Sequence, residues 1–429
     1  MNYNNPNNLN NPVNIAFSSQ NNSLNLNKTH PLITNSNEYL FYRKYVSIHS
    51  EDRDTTKYPS SANFEIELPE DYLNVVTVKL NDWTFPCNYN TFSQANSNIV
   101  MTFQINNPYN PAAFDNINPL QNAIFQALYS NINNDYVVTI TEGFYTPTQI
   151  VTELTNRFND LVTEFILNYF KNNTISGFPP SQYPSSYFIN NFNAIGGYTD
   201  FVVVFNAVSQ KVWFGNRSST FVLTNNSLAI TSFLPACYSG RSNKILPDSN
   251  NWGLPSFVGL PSTPVTSVTN ANNYVRFFYG SVNSGDLGTW LTPNPLQPGC
   301  QVSSVECVNK LNIFGPTCIY LEIEGMNCID ETIPFAVNPF TTHTNETSGV
   351  VNSSFAKIGI PTTPLSQWYD RNNSYYKYYN PPAERLRKLK IKLRYHNNVL
   401  CDFSNLDYTM TMEFTVLQPQ NNMKTIVNR

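Results

Sequence analysis

The amino-acid sequence predicts a mostly β protein: an antiparallel β-sandwich of jelly-roll type that carries an α+β insertion and an extended N-terminal arm. Three observations predict it. The C-terminal third contains three runs in which apolar residues alternate strictly with polar ones, a single well-capped amphipathic helix stands between strand-like segments, and the first 38 residues are rich in Asn with no sustained apolar period. Period-two alternation puts one set of side chains on a core and the other in water, which marks a half-buried strand. Antiparallel sheets with one wet face and long connections are economically packed as a sandwich.

Taken in order, residues 1–38 form an arm that lacks the hydrophobic content for an independent fold. Val13, Ile15, Phe17, Leu24 and Leu26 nevertheless punctuate it with apolar side chains, so it is expected to lie over a neighbouring subunit and become ordered on assembly. The first part of the sandwich spans 39–134. It opens with a strand over Tyr42–Ile48, followed by a polar turn, Ser50-Glu51-Asp52-Arg53-Asp54. A second strand has Phe64, Ile66 and Leu68 alternating with Glu65 and Glu67, and a third runs from Val75 to Phe85 and stops at Pro86, which cannot donate to a ladder. A short helix is expected around Pro119–Tyr129, and a further strand from Tyr136 to Thr141.

The α+β insertion is placed at 135–235. Thr146 caps its helix, Pro147 suits the first helical position and Gln149 completes a capping box. Ile150, Leu154, Phe158, Leu161, Phe165 and Tyr169 then recur at three and four, a stripe that needs a sheet to cover it. Phe201–Phe205 and Lys211–Phe214 read as the covering hairpin. Residues 236–273, heavy in Pro, Ser, Gly and Asn, read as a long loop. The second part of the sandwich, 274–429, contains the three alternations: Ile319, Leu321 and Ile323; Leu389, Ile391, Leu393 and Tyr395 against Lys388, Lys390, Lys392 and Arg394; and Met410, Met412, Phe414 and Val416.

Composition bounds the function. Charged residues make up 13% of the chain, against about 25% in a typical soluble protein, and aromatic residues 14%. A surface covered by Asn, Ser and Thr has little long-range repulsion to keep copies apart, which suits a protein packed against neighbours. The net charge of −4 gives no overall attraction to phosphate, so no specific nucleic acid is expected as a partner. The opening residues show no basic stretch followed by an apolar one, and no window reaches the ~18 apolar residues of a membrane span, so synthesis is expected in a reducing cytosol. The seven cysteines lack C-x-x-C spacing and are expected to be reduced, buried thiols. Sequons at Asn172, Asn216 and Asn345 are those an Asn/Ser/Thr-rich chain generates by chance.

Catalytic chemistry finds little support. The four histidines (His30, His49, His343 and His396) are near no G-x-S-x-G elbow, and H-E-x-x-H, the P-loop and G-x-G-x-x-G are absent. Glu51, Asp52 and Asp54 read as a solvated turn in which an Asp bonds its own backbone and Arg53 balances charge. Asp330 and Glu331 read as a surface loop. No catalytic residue, cofactor, metal or small-molecule substrate is expected. The sharp electrostatic feature is the basic strand Arg385–Arg394, preceded by Tyr375, Tyr376, Lys377, Tyr378 and Tyr379. Interleaved cations and rings can bind phosphate or seat at a lipid headgroup layer. They can equally face solvent and pair with acids such as Glu322 and Glu324, or contact a partner protein. Tyr375, Tyr376, Lys377, Lys388, Lys390, Lys392 and Arg394, with the five arm residues, are therefore the candidate partner-contact residues.

The order of segments carries a resemblance. "YVSIHSEDRDTTKYP" from Tyr45, "ANFEIELPEDYLNVVTVKLNDWTFP" from Ala62, "ITEGFYTPTQIVTELTNRFN", "CIYLEIEGMN" and "LRKLKIKLRYHNNVLCDFSNLDYTMTMEFTV" resemble, in that order, minor capsid proteins of large icosahedral double-stranded DNA viruses. The closing hairpin of that group usually turns on Gly, whereas Asn397-Asn398 stands here, and Asn tolerates the same backbone. The resemblance implies a non-enzymatic virion protein, made and assembled in the host cytoplasm, that joins major capsid capsomers to one another or to an underlying membrane. Its partners would be the major capsid protein and other minor capsid proteins, with the inner viral membrane as a further partner. Two other readings suit a β-rich, aromatic chain: a virion-surface attachment or glycan-binding module, and a hydrolase whose paired carboxylates face one cleft.

Overall fold

The computed structural model describes residues 39–87, 90–94, 98–224, 253–276, 288–331, 352–360, 366–370, 375–396, 400–403 and 406–419. The arm with Val13, Ile15, Phe17, Leu24 and Leu26, residues 236–252 of the expected 236–273 loop, and the Asn397-Asn398 turn lie outside the described residues; the rest of that expected loop is not structureless but carries a short helix, Leu254–Val258, and two short strands, Val265–Thr266 and Val268–Thr269. The protein is mostly β and its strands pair antiparallel, as the alternations predict. The chain divides into two compact units, Met1–Asn88 with Thr317–Ile333 and Gly349–Arg429, and Tyr89–Pro316 with Pro334–Ser348.

The first unit begins with β1 (Tyr39–His49) and β2 (Asn63–Cys87). The two strands expected over 64–68 and 75–85 are one. The chain continues as a strand through the residues between them, and the break in its side-chain phase is absorbed at Asn74, which adopts φ 53°. Asn is one of the few non-Gly residues that accept this conformation cheaply.

Most of the second unit follows. Its elements are β3 (Val100–Asn107), α1 (Pro119–Ser130), β4 (Tyr136–Thr139), α2 (Pro147–Asn172), α3 (Ser185–Ala194), β5 (Phe201–Asn206), β6 (Lys211–Asn216) and β7 (Thr220–Thr224). A short α4 (Leu254–Val258), β8 (Val265–Thr266), β9 (Val268–Thr269), β10 (Val275–Arg276), β11 (Thr289–Leu291) and β12 (Ser303–Glu306) follow. Two four-stranded sheets, ordered β4-β3-β7-β8 and β5-β6-β12-β9, share one core with the helices. Phe103 of β3, Phe158 of α2 and Phe201 of β5 meet with ring centroids 4.3–5.1 Å apart and tie both sheets to the helix. The expected insertion, 135–235, lies inside this unit.

Helix α2 starts as the sequence predicts. Thr146 Oγ1 accepts from the Gln149 backbone, and the Gln149 side chain accepts from the Thr146 N–H. Its buried stripe differs in the second half. Ile150, Leu154 and Phe158 are buried as expected, but the stripe continues through Val162, Ile166 and Phe170, leaving Leu161, Phe165 and Tyr169 half-buried. The polar residues matter as much. Thr155 and Asn159, one turn apart, bond the backbone of Val203 and Phe201 and so satisfy the outer edge of β5, which otherwise closes no ladder on that side.

The chain returns to the first unit with β13 (Cys318–Ile323), β14 (Ile329–Glu331), β15 (Asn352–Ser354), β16 (Ala356–Gly359), β17 (Ser366–Asp370), β18 (Tyr376–Arg394) and β19 (Thr409–Pro419). The main sheet runs β1-β19-β2-β18-β13-β16, with β17 also on β2. Register shifts in β18 after Tyr378 and Leu386, and in β19 after Thr411 and Thr415, bend these long strands. The bending makes one sheet enclose its own core, in which Phe64, Val78, Trp83, Leu321, Ile391, Met412 and Phe414 are all buried.

Candidate interaction surface

The basic strand sits in the middle of this sheet. On β18, Leu389, Ile391 and Leu393 point into the core, each no more than 1% exposed, while Lys388, Lys390 and Lys392 project from the other face. Those cations are not free. Lys388 pairs with Glu65 of β2 at 3.0 Å, Lys390 with Glu324 at 3.4 Å and Lys392 with Glu322 of β13 at 3.4 Å. Arg385 pairs with Asp71 at 2.6 Å, and Arg387 reaches Glu67 at 4.0 Å. The Lys388 ammonium holds the Glu65 carboxyl below the usual carboxylate range. A cationic stripe is thus bordered on both sides by carboxylates, which removes the local positive field that phosphate or anionic lipid would need.

Arg394 departs from its expected place. Alternation puts it on the solvent face with the lysines, but it is fully buried. Its Nε donates to Glu322, its two terminal nitrogens donate to Glu331, and its guanidinium lies 5.2 Å from the centre of the Tyr320 ring. The expected surface loop at Asp330 and Glu331 is strand β14, and Glu331 is itself buried, with His396 Nδ1 3.2 Å from the same Oε2 that accepts from Arg394. One guanidinium therefore holds β13, β14 and β18 together. Its partners are 63 and 72 residues away in sequence, beyond the reach of any local period.

The tyrosine run also divides between faces. Tyr375 and Tyr379 pack against the core, and burial pushes the Tyr379 hydroxyl up to about 12. Lys377 is half-buried and donates to the Asn327 carbonyl at 3.4 Å. Tyr376 and Tyr378 remain exposed, 39% each, beside Lys79 and Thr77 on β2. Phe41 and Tyr45 of β1 are exposed at 43% and 56%.

The remaining candidates are structural. Asp54 accepts from the backbone of Thr56 and Lys57, as the turn requires. Arg53 turns instead to Asp407, at 2.7 Å, and to the carbonyls of Ser50 and Tyr58, fastening the turn to the segment before β19. Cys300, Cys307 and Cys401 are buried, but Cys318 is half-buried and Cys328 exposed, contrary to the expectation that all are buried. Asn216 is buried and donates to the Tyr198 hydroxyl, so the sequon there is closed to modification in the fold. Among the described residues, no three His, Cys, Asp or Glu side chains converge to hold a metal.

No family model matches the sequence, and no curated protein matches it. Among solved structures the chain is similar to the mavirus penton protein at 11% identity, over 88% of this chain and 98% of that one, with a TM-score of 0.35. It is also similar to a chain of the cryo-EM structure of the Sputnik virophage, at 9% identity over 90% and 99%, with a TM-score of 0.34. The resemblance read from the sequence is to viral capsid proteins, and these structural neighbours are a viral penton protein and a chain of a virophage.

Proposed function

We propose that this chain is a structural component of a viral capsid, a minor capsid protein that links major capsid capsomers to one another or to an underlying membrane. The observation that carries the reading is where the resembling segments fall. "YVSIHSEDRDTTKYP" supplies the end of β1 and its turn, "ANFEIELPEDYLNVVTVKLNDWTFP" supplies β2, "CIYLEIEGMN" supplies β13, and the closing segment supplies the end of β18 and most of β19. Segments scattered over most of the chain become neighbouring strands of one sheet. Four of the five resembling segments thus meet in this sheet, and the fifth, "ITEGFYTPTQIVTELTNRFN", supplies the capped start of α2 in the second unit.

The same sheet argues for contact with protein more than with phosphate. Its cations are matched by carboxylates, and its exposed side chains include Tyr45, Tyr376 and Tyr378, aromatic residues of the kind enriched at protein interfaces. The arm would add apolar anchors at Val13, Ile15, Phe17, Leu24 and Leu26. Each is worth about 1.5–3 kcal/mol gross if buried on a neighbour, before the cost of ordering the backbone. Several together are needed for attachment.

Protease treatment of intact particles separates this reading from a surface attachment module. A capsid component beneath or between capsomers is protected in the particle and has its arm cleaved in the isolated protein. A surface module is cleaved in both.

A further inference from the structure

In the second unit, a polar cavity of about 40 Å³ lies between α1, the loop before β5 and the segment around Asn294. Gln121, Tyr198, Asp200, Asn294 and Gln297 supply its polar lining, and Ile195 and Leu296, 39% and 51% exposed, stand at its margin. Most of these polar groups are satisfied by one another. Asn294 Nδ2 donates to Asp200 Oδ1 at 2.6 Å, Ser218 donates to Asp200 Oδ2, and Gln297 Nε2 donates to Gln121 Oε1 at 3.0 Å. Gln297 is the exception. It is only 5% exposed, and its Oε1 is buried with no hydrogen-bond partner among the described residues.

Leaving a buried amide oxygen without a donor costs about 1–3 kcal/mol, and turning the Gln297 amide over alone would set its oxygen against Gln121 Oε1 and leave an orphan donor in place of the orphan acceptor. A cavity needs roughly 10–15 Å³ to hold a water, and the water needs two or more polar partners. Both conditions are met here. We infer that this cavity is a binding site for ordered water, one molecule of which donates to Gln297 Oε1 and spans to the polar groups around Asp200. Water serves either orientation of the Gln297 amide, because it both donates and accepts. A cation is the weaker occupant: Asp200 is the only carboxylate in the lining, both of its oxygens already accept hydrogen bonds, and the adjacent Arg217 contributes a positive field.

The test is a crystal structure of the full chain at a resolution that orders solvent, with metal-free crystals compared with crystals soaked in calcium chloride. The expected result is a solvent peak within hydrogen-bond distance of the Gln297 side chain in both, and its loss in Gln297→Met, which keeps the side-chain length but removes both polar atoms. An empty cavity in the wild-type protein overturns the inference. So does a peak that appears only with calcium and carries short metal-type contacts. Should Gln297→Met fail to fold, the wild-type comparison decides alone, supported by a melting temperature unchanged between calcium and EDTA.

Discussion

Phe64 and Phe85 stand 21 positions apart on the same strand, yet both rings rest on Tyr408, with centroids 6.3 and 4.8 Å from it. A straight strand would separate them by about 69 Å. β2 therefore curls until its two ends share one aromatic contact, and Tyr408, fully buried, is the point at which the sheet closes. Its hydroxyl has no hydrogen-bond partner among the described residues. Tyr408→Ala should then destabilise the first unit by about 3–5 kcal/mol, the usual cost of deleting a buried ring. Tyr408→Phe, which keeps the ring and removes an unsatisfied group, should be neutral or stabilising. Urea denaturation of both variants checks this, and equal losses would show that the hydroxyl is engaged.

Arg394 is the only cation of the basic strand that is fully buried, shared by Glu322 and Glu331. Arg394→Ala should destabilise by about 3–5 kcal/mol, because it leaves buried carboxylate charge uncompensated. Arg394→Met combined with Glu331→Leu should recover much of that loss. Failure of the double variant to improve on Arg394→Ala would mean that the guanidinium acts through its packing on Tyr320.

Asp200 gives the protein a particular response to pH. Burial holds its carboxyl above the usual carboxylate range, against the hydrogen bonds from Ser218 and Asn294. The fold therefore prefers the protonated acid more than the unfolded chain does. The resulting stability is complete below the unfolded value of about 3.9 and is lost as pH rises through the folded-state value. Asp200→Asn cannot titrate, so its unfolding free energy relative to wild type should improve from about pH 4 upward and then level off. Parallel pH profiles for the two proteins would contradict the assignment.

The exposed lysines should contribute little to anionic surfaces. With Lys390 and Lys392 paired to Glu324 and Glu322, binding of the isolated protein to anionic vesicles should be weak and unchanged by Lys390→Gln. Removal of the acid, as Glu324→Gln, should increase binding, because it uncovers the cation. A drop in binding on Lys390→Gln would show that the ion pair opens to engage lipid.

Much of this fold is legible in the sequence because its signals are local. The alternations at Ile319–Ile323, Leu389–Leu393 and Met410–Val416, and the capping box at Thr146 and Gln149, each depend on residues within a few positions. What escaped depends on distant partners. Arg394 obeys the alternation yet is buried, because β14 brings Glu331 over it. β2 reads as two strands, over 64–68 and 75–85, because nothing nearby indicates that Asn74 takes a left-handed backbone. Thr155 and Asn159 look like ordinary polar positions on a helix until β5 is found beside them. For the interaction surface, the sequence indicated the basic and aromatic segment but not which of its side chains are already spent on internal partners.

The proposed place in a capsid is decided by a reconstruction of the whole virus particle. Density is expected beneath or between major capsid capsomers into which the sheet β1-β19-β2-β18-β13-β16 fits, with neighbouring protein against Tyr376, Tyr378 or Tyr45 and with the arm 1–38 extended over an adjacent subunit. A chain that is absent from the particle, or that is found only as an outward-projecting module without contact to the capsomers, would contradict it.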